Sequence, residues 1–367
     1  MAQGPILLVV GARPNFMKIA PLLRSLINRD VPTLLLHTGQ HYDENMSGVF
    51  FEDLNMRPPD IHLDVGSASH AVQTATIMIR FEEVCREHSP SMVVVVGDVN
   101  STIACALVAK KMQIPVAHVE AGLRSGDRTM PEEINRILTD SISDLLFTPS
   151  RDGDENLIAE GVDREIIHFV GNIMIDSLFD AIPRSAGAAA AMVAPRPPQS
   201  GLLTLHRPSN VDDPDQLSNI ISCILDMTRD THLVFPVHPR TRSKLTQIGL
   251  MDALEAAPWV CLTEPMGYLA FVDLMQASAF VLTDSGGLQE ETTALGIPCL
   301  TIRENTERPI TITEGTNRLV GTDPAAIERA FSELSLNSKD DPPRPEFWDG
   351  GTADRIAEII LASLDGM

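Results

Sequence analysis

The chain has 367 residues, too many for one ordinary domain and enough for two. Its hydrophobic content of 44% supports large cores, and its formal charge of −22 argues against nucleic acid or an anionic membrane as a partner. The five cysteines are scattered, no secretory signal pattern precedes the first strand, and no apolar run approaches about 18 residues. We therefore expect buried thiols in a soluble cytoplasmic protein.

The first half of the chain alternates buried strands with apolar-periodic helices. Strands are predicted at 6–10, 34–38, 93–96, 115–119, 145–148 and 166–170. Residues 47–70 are predicted to be largely loop. Continuous apolar strands separated by helices are typical of a parallel sheet covered on both faces. In such sheets, ligands bind beyond the carboxyl ends of the strands.

A change of composition marks the end of this first series. Residues 183–200 are rich in Ala, Pro and Gly, so we predict an N-terminal domain over 1–172 and a hinge over 173–200. A second strand–helix series occupies 201–345, and 346–367 carry an amphipathic C-terminal helix. The fold class is therefore α/β, with two doubly wound Rossmann-like domains predicted to face each other across a cleft.

The second series has the same character as the first. Its predicted strands are 202–205, 233–237, 260–263, 280–283 and 299–302. The helices between them include one long helix, predicted over 240–255.

Several ionisable residues follow the predicted strands of the first half. They are Arg13, Lys18, Asp98, Glu120, Glu132 and Arg136. Because the carboxyl ends of parallel strands meet at one edge, we expect these groups to converge in an active site. For Arg13 and Lys18, an ordinary strand–helix turn with surface charges is the alternative. No G-x-G-x-x-G or P-loop motif is present, so no nucleotide cofactor is predicted.

A glycine pair opens the sharpest motif of the second half, TDSGGLQEE at 283–291. At Ser285, Gly286 and Gly287 a strand ends and a helix begins, an arrangement that can hold a diphosphate on free N–H groups. We predict Glu291 on the first helical turn, where it can accept ribose hydroxyl bonds. An ordinary Gly-rich turn is the alternative.

Two histidine–arginine pairs follow strands on the same edge. One lies in LHRP, with His206, and the other is HPR, with His238 and Arg240. A lone histidine is more often structural, but two such pairs beside the Gly-Gly turn favour a functional role.

Taken together, these motifs resemble the UDP-N-acetylglucosamine 2-epimerase family, specifically its bacterial non-hydrolysing branch. They are, in chain order, GARPNFMK, VGD, HVEAGLR, PEEINR, LHRP, HPR, DSGGLQEE and ERP, and they extend from the first strand to about residue 320. The resemblance implies the two-domain GT-B architecture, nucleotide binding mainly by the C-terminal domain and a C-terminal helix that crosses back to the first domain. It also implies a homodimer, no metal and a place in polysaccharide biosynthesis.

The family reaction inverts carbon 2 of the sugar by eliminating UDP to 2-acetamidoglucal and adding it back. Elimination requires a base, an acid and stabilisation of the departing diphosphate. By resemblance, Asp98, Glu120 and Glu132 are the acid/base candidates, with Asp98 as the base, and His206 assists the leaving phosphate.

The resemblance also implies substrate contacts. It assigns Arg13, Lys18 and Arg136 to the phosphate, Ser285, Gly286 and Gly287 to the diphosphate turn, Glu291 to the ribose and Phe271 to the uracil region, with His238 and Arg240 nearby. Gln40 and His41 correspond to a loop that contacts a second, activating UDP-N-acetylglucosamine in regulated members.

The chain departs from the family pattern at two places. Many members have H-R-R-E-N where this chain has H-R-P-S-N, and many have an acid where this chain has Asn15. These departures leave open a UDP-sugar with other substituents. A hydrolysing relative, a GT-B glycosyltransferase and a nucleotide-sugar sensor are further alternatives, although the last two have no need of three clustered carboxylates.

Overall fold

Two parallel sheets, each covered by helices, organise the chain. The computed structural model describes residues 4–39, 48–190, 192–193, 200–334 and 344–366. It divides into a first domain, Met1–Phe179 with Glu346–Met367, and a second domain, Asp180–Pro345. The domain change therefore falls within a helix and not in the Ala/Pro-rich segment that follows it.

The first domain is built on a seven-stranded sheet. Its strands are β1 (Ile6–Val10), β2 (Thr33–His37), β3 (Ile61–His62), β4 (Met92–Val96), β5 (Val116–Val119), β6 (Leu145–Thr148) and β7 (Ile167–Phe169). Its helices are α1 (Arg13–Ile27), α2 (Gly48–Asp53), α3 (His70–His88), α4 (Asn100–Lys111), α5 (Pro131–Ile142), α6 (Arg151–Ala159) and the start of α7 (Ile173–Ser185), with a 3₁₀ turn at Arg164–Ile166. The spatial order is β3-β2-β1-β4-β5-β6-β7, all parallel.

The second domain repeats this plan with six strands. They are β8 (Gly201–Thr204), β9 (Leu233–Pro236), β10 (Val260–Thr263), β11 (Phe280–Thr283), β12 (Cys299–Thr301) and β13 (Asn317–Leu319). The helices are α8 (Pro208–Val211), α9 (Pro214–Met227), α10 (Pro239–Gln247), α11 (Met251–Ala256), α12 (Tyr268–Gln276), α13 (Gly286–Leu295), α14 (Ile310–Thr313) and α15 (Pro324–Ser332). The order is β10-β9-β8-β11-β12-β13, again all parallel.

The order of the strands creates one switch point in each sheet, where successive connections run in opposite directions. In the first domain it lies between β1 and β4, and in the second between β8 and β11. Ligands of doubly wound sheets bind outside the carboxyl ends of the strands at this point. The residues after β1, β4, β8 and β11 are therefore the first candidates for a site.

Burial explains why the strands are so apolar. β1 and β4 are completely buried because helices cover both faces of the sheet. The predicted pair of doubly wound Rossmann-like domains is thus confirmed.

The last helix, α16 (Thr352–Gly366), belongs to the first domain and packs on α1. The carboxylate of Asp176 on α7 accepts the N–H groups of Thr352 at 3.2 Å and Ala353 at 2.7 Å. The indole of Trp348 is buried and donates to the carbonyl oxygen of Pro149 at 3.0 Å. These bonds fix both the start of α16 and the segment before it.

Some local predictions were wrong. The helix predicted over 240–255 is two helices, α10 and α11, because Gly249 adopts φ +73° between them. Residues 47–70 include α2 and the two-residue strand β3, both too short to show a clear period. All five cysteines are free, but Cys261 is exposed and Cys223 is only partly buried, so the expectation of buried thiols holds for Cys85, Cys105 and Cys299. No helix in the described part of the chain is long and apolar enough to cross a membrane.

Candidate active site

A chain of ion pairs joins the ends of β4 and α5. The carboxylate of Asp98, 32% exposed, pairs with Nη2 of the nearly buried Arg136. Nη1 of Arg136 lies 2.5 Å from Oε2 of Glu133. The backbone N–H of Ser125 donates to the same oxygen at 3.0 Å, and that of Gly126 donates to Oε1 at 2.9 Å. Burial alone would raise the pKa of Glu133, but these donors hold it below its usual value. Glu133 is therefore an ionised group that orients Arg136 toward Asp98.

A second ion pair lies at the end of β5. Nζ of Lys18 contacts Oε2 of Glu120, and both side chains are mostly buried. Glu120 adopts φ +70°, a conformation that costs a non-glycine residue on the order of 1–3 kcal/mol. A Cβ atom at Gly97, before Asp98, would lie 3.4 Å from this carboxylate and 3.5 Å from the ammonium. The turn after β4 therefore brings its backbone against the Lys18–Glu120 pair.

His118 supports this turn from within the sheet. Its Nε2 lies 2.8 Å from the carbonyl oxygen of Gly97, and its Nδ1 lies 2.7 Å from Oδ1 of the buried Asp140. Burial raises the pKa of Asp140, but His118 and Arg124 outweigh this and lower it, so Asp140 is an ionised acceptor. The ring of His118 therefore bridges the carboxylate of Asp140 and the carbonyl oxygen of Gly97, and it fixes the backbone that carries Asp98.

Asn15 explains one departure from the family pattern. Its Oδ1 accepts the N–H groups of Gly11 at 3.1 Å and Ala12 at 2.9 Å, while its Nδ2 donates to the carbonyl oxygen of Val96 at 3.2 Å. A carboxylate could accept the first two bonds but could not donate the third. The amide therefore links the turn after β1 to the end of β4.

Two further predicted residues lie on the first turns of helices. Glu132 is partly exposed on the first turn of α5, and no described residue forms a hydrogen bond or ion pair with its side chain. Arg13 is exposed at the start of α1. Gln40 and His41 lie outside the described residues.

In the second domain the Gly-Gly turn has the predicted form. α13 begins at Gly286, and the first N–H groups of a helix have no partners within it. A Cβ atom at Gly287 would meet nothing within 4 Å, whereas one at Gly286 would lie 3.0 Å from Nη1 of Arg308 and 3.8 Å from Nη2 of Arg207. The turn is thus open on one side and bordered by guanidinium groups on the other, an arrangement suited to a phosphate.

These arginines belong to a partly buried charge cluster. Burial and the nearby Arg303 lower the pKa of Arg207, and Arg308 adds to the repulsion. Glu307 bonds Arg303 at 3.1 Å, and the arginines hold its pKa at about 2 although burial opposes this. Arg308 Nε also lies 2.8 Å from Glu290. An anion here would offset the repulsion among the three cations.

Both predicted histidines lie at this edge. Nδ1 of His206 lies 3.0 Å from Oδ1 of Asp284, and its ring centroid is 5.9 Å from that of His238. Arg240 is exposed and pairs with Asp212, with Nε 3.1 Å from Oδ1. The charge of Arg240 is therefore already balanced by Asp212 within the second domain.

The position predicted for Glu291 was wrong in one respect. It is the sixth residue of α13 and thus lies beyond the first turn, almost fully buried. The hydroxyl of Tyr268 donates to its Oε1 at 3.1 Å, and burial raises its pKa to about 7. Phe271, partly buried, lies on α12 one turn after Tyr268, so the uracil candidate is on the same helix as the tyrosine that bonds the ribose candidate.

Sequence reasoning did not single out four residues of these groups, which are Glu133, Tyr268, Asp284 and Arg308. Asp284 and Arg308 lie within motifs that were recognised, and an acid directly after a strand was the available signal for Asp284. Nothing in the local sequence distinguishes Glu133 from Glu132.

The fold and the two switch points define a two-domain α/β protein of the doubly wound class, with carboxylates paired to cations in one domain and an open glycine turn in the other. Comparison with known proteins gives the family. The model of the family "UDP-N-acetylglucosamine 2-epimerase" matches residues 25–361. The chain therefore belongs to the UDP-N-acetylglucosamine 2-epimerase family, and it is an isomerase.

Individual relatives cover nearly the whole chain. UDP-N-acetylglucosamine 2-epimerase of Methanocaldococcus jannaschii is 41% identical over 359 residues, covering 96% of this chain and 98% of the relative. UDP-2,3-diacetamido-2,3-dideoxy-D-glucuronate 2-epimerase of Pseudomonas aeruginosa is 41% identical over 364 residues, covering 97% and 99%. The crystal structure of the M. jannaschii enzyme in complex with UDP-GlcNAc and UDP superposes with a TM-score of 0.86 at 40% identity, covering 98% of this chain and 99% of that one.

Proposed function

We propose that the protein interconverts UDP-N-acetylglucosamine and UDP-N-acetylmannosamine without hydrolysing either. The observation that carries the proposal is the pairing of two carboxylates at neighbouring strand ends with buried cations, Asp98 with Arg136 and Glu120 with Lys18. Carboxylates held in place and partly shielded from water are suited to moving a proton. A protein that only binds a nucleotide sugar has no need of them.

The first half-reaction is an elimination. Asp98 takes the proton from carbon 2, the electrons of that bond form the double bond between carbons 1 and 2, and the bond from carbon 1 to the phosphate oxygen breaks. The electron pair of this bond leaves with UDP. Arg13, Lys18 and Arg136 stabilise the developing negative charge.

The return step adds UDP to the glucal. The phosphate oxygen attacks carbon 1, and carbon 2 receives a proton on the opposite face from an acid. Glu120 and Glu132 are the candidates for that acid. Three carboxyl groups allow one proton to be removed and another delivered without a metal or a redox cofactor in the proposed scheme.

The second domain holds the nucleotide in this proposal. Ser285, Gly286 and Gly287 offer N–H groups to the diphosphate, and His206 faces the departing oxygen. Glu291 accepts the ribose hydroxyls, Phe271 contacts the uracil, and His238 and Arg240 border the site. The support is the open side of Gly287 and the arginines beside Gly286.

Proton NMR in D₂O tests the reaction directly. UDP-N-acetylglucosamine, incubated with the purified protein and no added cofactor, should give UDP-N-acetylmannosamine, with deuterium at carbon 2 of both sugars. Deuterium should not enter at carbon 4. Epimerised product that keeps the original hydrogen at carbon 2 would exclude elimination, and free N-acetylmannosamine with UDP would indicate the hydrolysing alternative.

A second substrate has a specific observation in its favour. The identity to the P. aeruginosa diacetamido-glucuronate 2-epimerase equals that to the M. jannaschii enzyme, 41% in each case. The two UDP-sugars should therefore be compared at equal concentration in the same NMR experiment. Faster conversion of the diacetamido-glucuronate would reassign the substrate while leaving the chemistry at carbon 2 unchanged.

We also propose a homodimer formed through helices α3, α4 and α5, which pack side by side. Their outer surface carries Val72 (58% exposed), Ile79 (64%), Ile134 and Leu138. Large aliphatic side chains exposed on neighbouring packed helices are typical of an interaction surface. In sedimentation experiments the wild type should be a dimer and Ile79→Glu a monomer, whereas Ile27→Glu, an exposed change on α1, should remain dimeric. A monomeric wild type would contradict the proposal.

Free cysteines and a nucleotide-sugar substrate support a cytoplasmic location. An activated amino sugar is a building block for transferases, which supports a role in polysaccharide biosynthesis.

A further inference from the structure

A buried carboxylate lies beneath the Gly-Gly turn, in the position between β11 and Ser285. Asp284 has no exposed surface, and five hydrogen bonds converge on it. Its Oδ2 accepts the N–H of Arg207 at 2.9 Å and Nδ2 of Asn210 at 3.3 Å. The backbone N–H of His206 donates to both oxygens, at 3.1 and 3.0 Å, and Nδ1 of the same histidine lies 3.0 Å from Oδ1.

The charge of Asp284 determines which nitrogen of His206 carries the proton. Burial alone would raise the pKa of Asp284, but His206 and the backbone N–H groups of residues 206 and 207 lower it. The carboxylate is therefore ionised at neutral pH and can only accept. Nδ1 of His206 must then be the donor, and Nε2 is left for the solvent side.

The neighbouring histidine has the opposite arrangement. Nδ1 of His238 accepts the backbone N–H of Arg240 at 3.2 Å, so any proton on the neutral ring is on Nε2. Burial, followed by His206 and Arg240, lowers the pKa of His238, which keeps the ring neutral. Of the two histidines, only His206 has a carboxylate behind it.

We propose that Asp284 is a positioning residue that holds the His206 proton on Nδ1 and so prepares Nε2 to act on the leaving phosphate. Nε2 takes a proton from solvent, and Asp284 compensates the positive ring. When the bond to carbon 1 breaks, the phosphate oxygen keeps the electron pair and receives the Nε2 proton. On re-addition the oxygen attacks carbon 1 and the proton returns to Nε2. The charged or titratable groups around this ring are Asp284, His238 and the adjacent Arg207. The role in the reaction depends on the proposed function, whereas the location of the proton does not.

Asp284→Asn should reverse the His206 tautomer. The N–H of Arg207 and the amide of Asn210 both donate at the Oδ2 position, so the new side chain keeps its oxygen there. Its NH₂ group then faces Nδ1 of His206, which must accept. Imidazole ¹⁵N–¹H correlation spectra, assigned with His206→Ala, should show Nδ1 protonated in the wild type and Nε2 protonated in Asp284→Asn.

These spectra can overturn the proposal on their own. A wild-type His206 that carries its proton only on Nε2 would refute it, even if Asp284→Asn did not fold. An unchanged Nδ1 proton in a folded Asp284→Asn would refute it as well. Neither result depends on which sugar is converted, so the spectra remain decisive if the wild type epimerises neither UDP-sugar and the proposed function fails.

Kinetics test the role in the reaction. Asp284→Asn should lower kcat by ~10²–10⁴-fold, the scale of a lost acid/base function. UDP affinity should change by less than about tenfold, because the N–H groups of the turn remain. In the His206→Ala background, Asp284→Asn should cause no further loss of kcat, since it acts through the missing ring. Losses that multiply in the double variant would show a structural role only. Asp226→Asn, an exposed member of an ion pair with Arg229, is the matched control and should leave kcat unchanged.

Discussion

The two domains share a topology but fill their switch points differently. In the first domain, side-chain charges occupy the strand ends, with Lys18 against Glu120 and Arg136 between Asp98 and Glu133. In the second, the turn after β11 offers the start of a helix and two glycines, with arginines on one side. In the proposed function, the first edge supplies groups that exchange protons, and the second supplies groups that hold an anion.

In the proposed function, this difference lets one architecture serve two tasks. Acid/base work requires carboxylates whose positions are fixed by partners, and the first domain supplies these through ion pairs and the bond from His118 to Gly97. Holding a diphosphate requires donors that need no net charge, and backbone N–H groups at a helix start provide them. Substitutions of the carboxylates of the first domain should therefore affect turnover, and substitutions in the Gly-Gly turn of the second should affect nucleotide affinity.

Asp98→Asn should give the largest effect and test the first half of this comparison. We expect turnover to fall ~10²–10⁴-fold, because the amide cannot take the carbon 2 proton, while UDP affinity stays within about twofold. Initial rates by NMR and calorimetry with UDP check both. The control is Glu358→Gln. Glu358 is an exposed residue of α16 that pairs with Arg29, and this variant should behave like wild type. Near-normal turnover in Asp98→Asn would show that Asp98 is not the base.

Glu133→Gln and Glu132→Gln should separate support from chemistry within one motif. Glu133→Gln should lower the free energy of unfolding by about 1–3 kcal/mol, since it weakens charge-assisted bonds to Arg136 and to the loop at Ser125. Glu132→Gln should leave the free energy of unfolding unchanged but reduce turnover at least roughly tenfold. Denaturant unfolding and initial rates on the same samples decide this. A destabilised Glu132→Gln beside a stable Glu133→Gln would reverse the assignment.

Gly287→Ala should test the second half of the comparison. The added methyl group meets no protein atom within 4 Å, and alanine favours a helix by up to about 1 kcal/mol, so the melting temperature should not fall. The methyl group should nevertheless obstruct a diphosphate and weaken UDP at least roughly tenfold, or ~1.4 kcal/mol. Gly366→Ala, which also meets nothing within 4 Å, serves as the control. Unchanged UDP affinity in Gly287→Ala would place the diphosphate elsewhere.

Glu291 should give the smallest effect, visible as a pH dependence. Burial raises its folded-state pKa from 4.5 to about 7, with Glu290 contributing and Tyr268 opposing. Ribose hydroxyls need the ionised acceptor, so uridine affinity should fall as pH drops below 7, by up to about tenfold per unit. Uridine is the probe because it lacks a titrating phosphate. Glu291→Gln should remove this dependence.

The same pKa predicts a stability effect of defined sign. Because the folded-state pKa of Glu291 is raised, its contribution to the free energy of unfolding is fully present below about pH 4.5. This contribution is lost as pH rises through 7. Glu291→Gln should therefore stabilise the protein relative to wild type at pH 8, by about 1–3 kcal/mol, and not at pH 4.5. Thermal melts at the two pH values measure this. Equal changes in melting temperature at both pH values would mean that the folded-state pKa of Glu291 is not raised.

The sequence predicted most of the fold because the strands are long apolar runs. β1 and β4 could only be buried strands, and the glycines at 97 and 286–287 follow strand ends where tight turns are expected. Prediction from the sequence failed at β3, at α2 and at the break between α10 and α11. These elements are too short to show a clear hydrophobic period.

The candidate site likewise contains residues that the sequence predicted and contacts that it did not. Sequence motifs identified Asp98, Glu120 and the Gly-Gly turn because residue type and position after a strand are properties of the local chain. The tertiary structure alone decided that Glu133 and not Glu132 orients Arg136, that Asn15 links β1 to β4, and that Asp284 meets His206. These relationships join residues from different elements or distinguish adjacent ones, so only packing can decide which partners meet, how deeply they are buried and which proton each one holds.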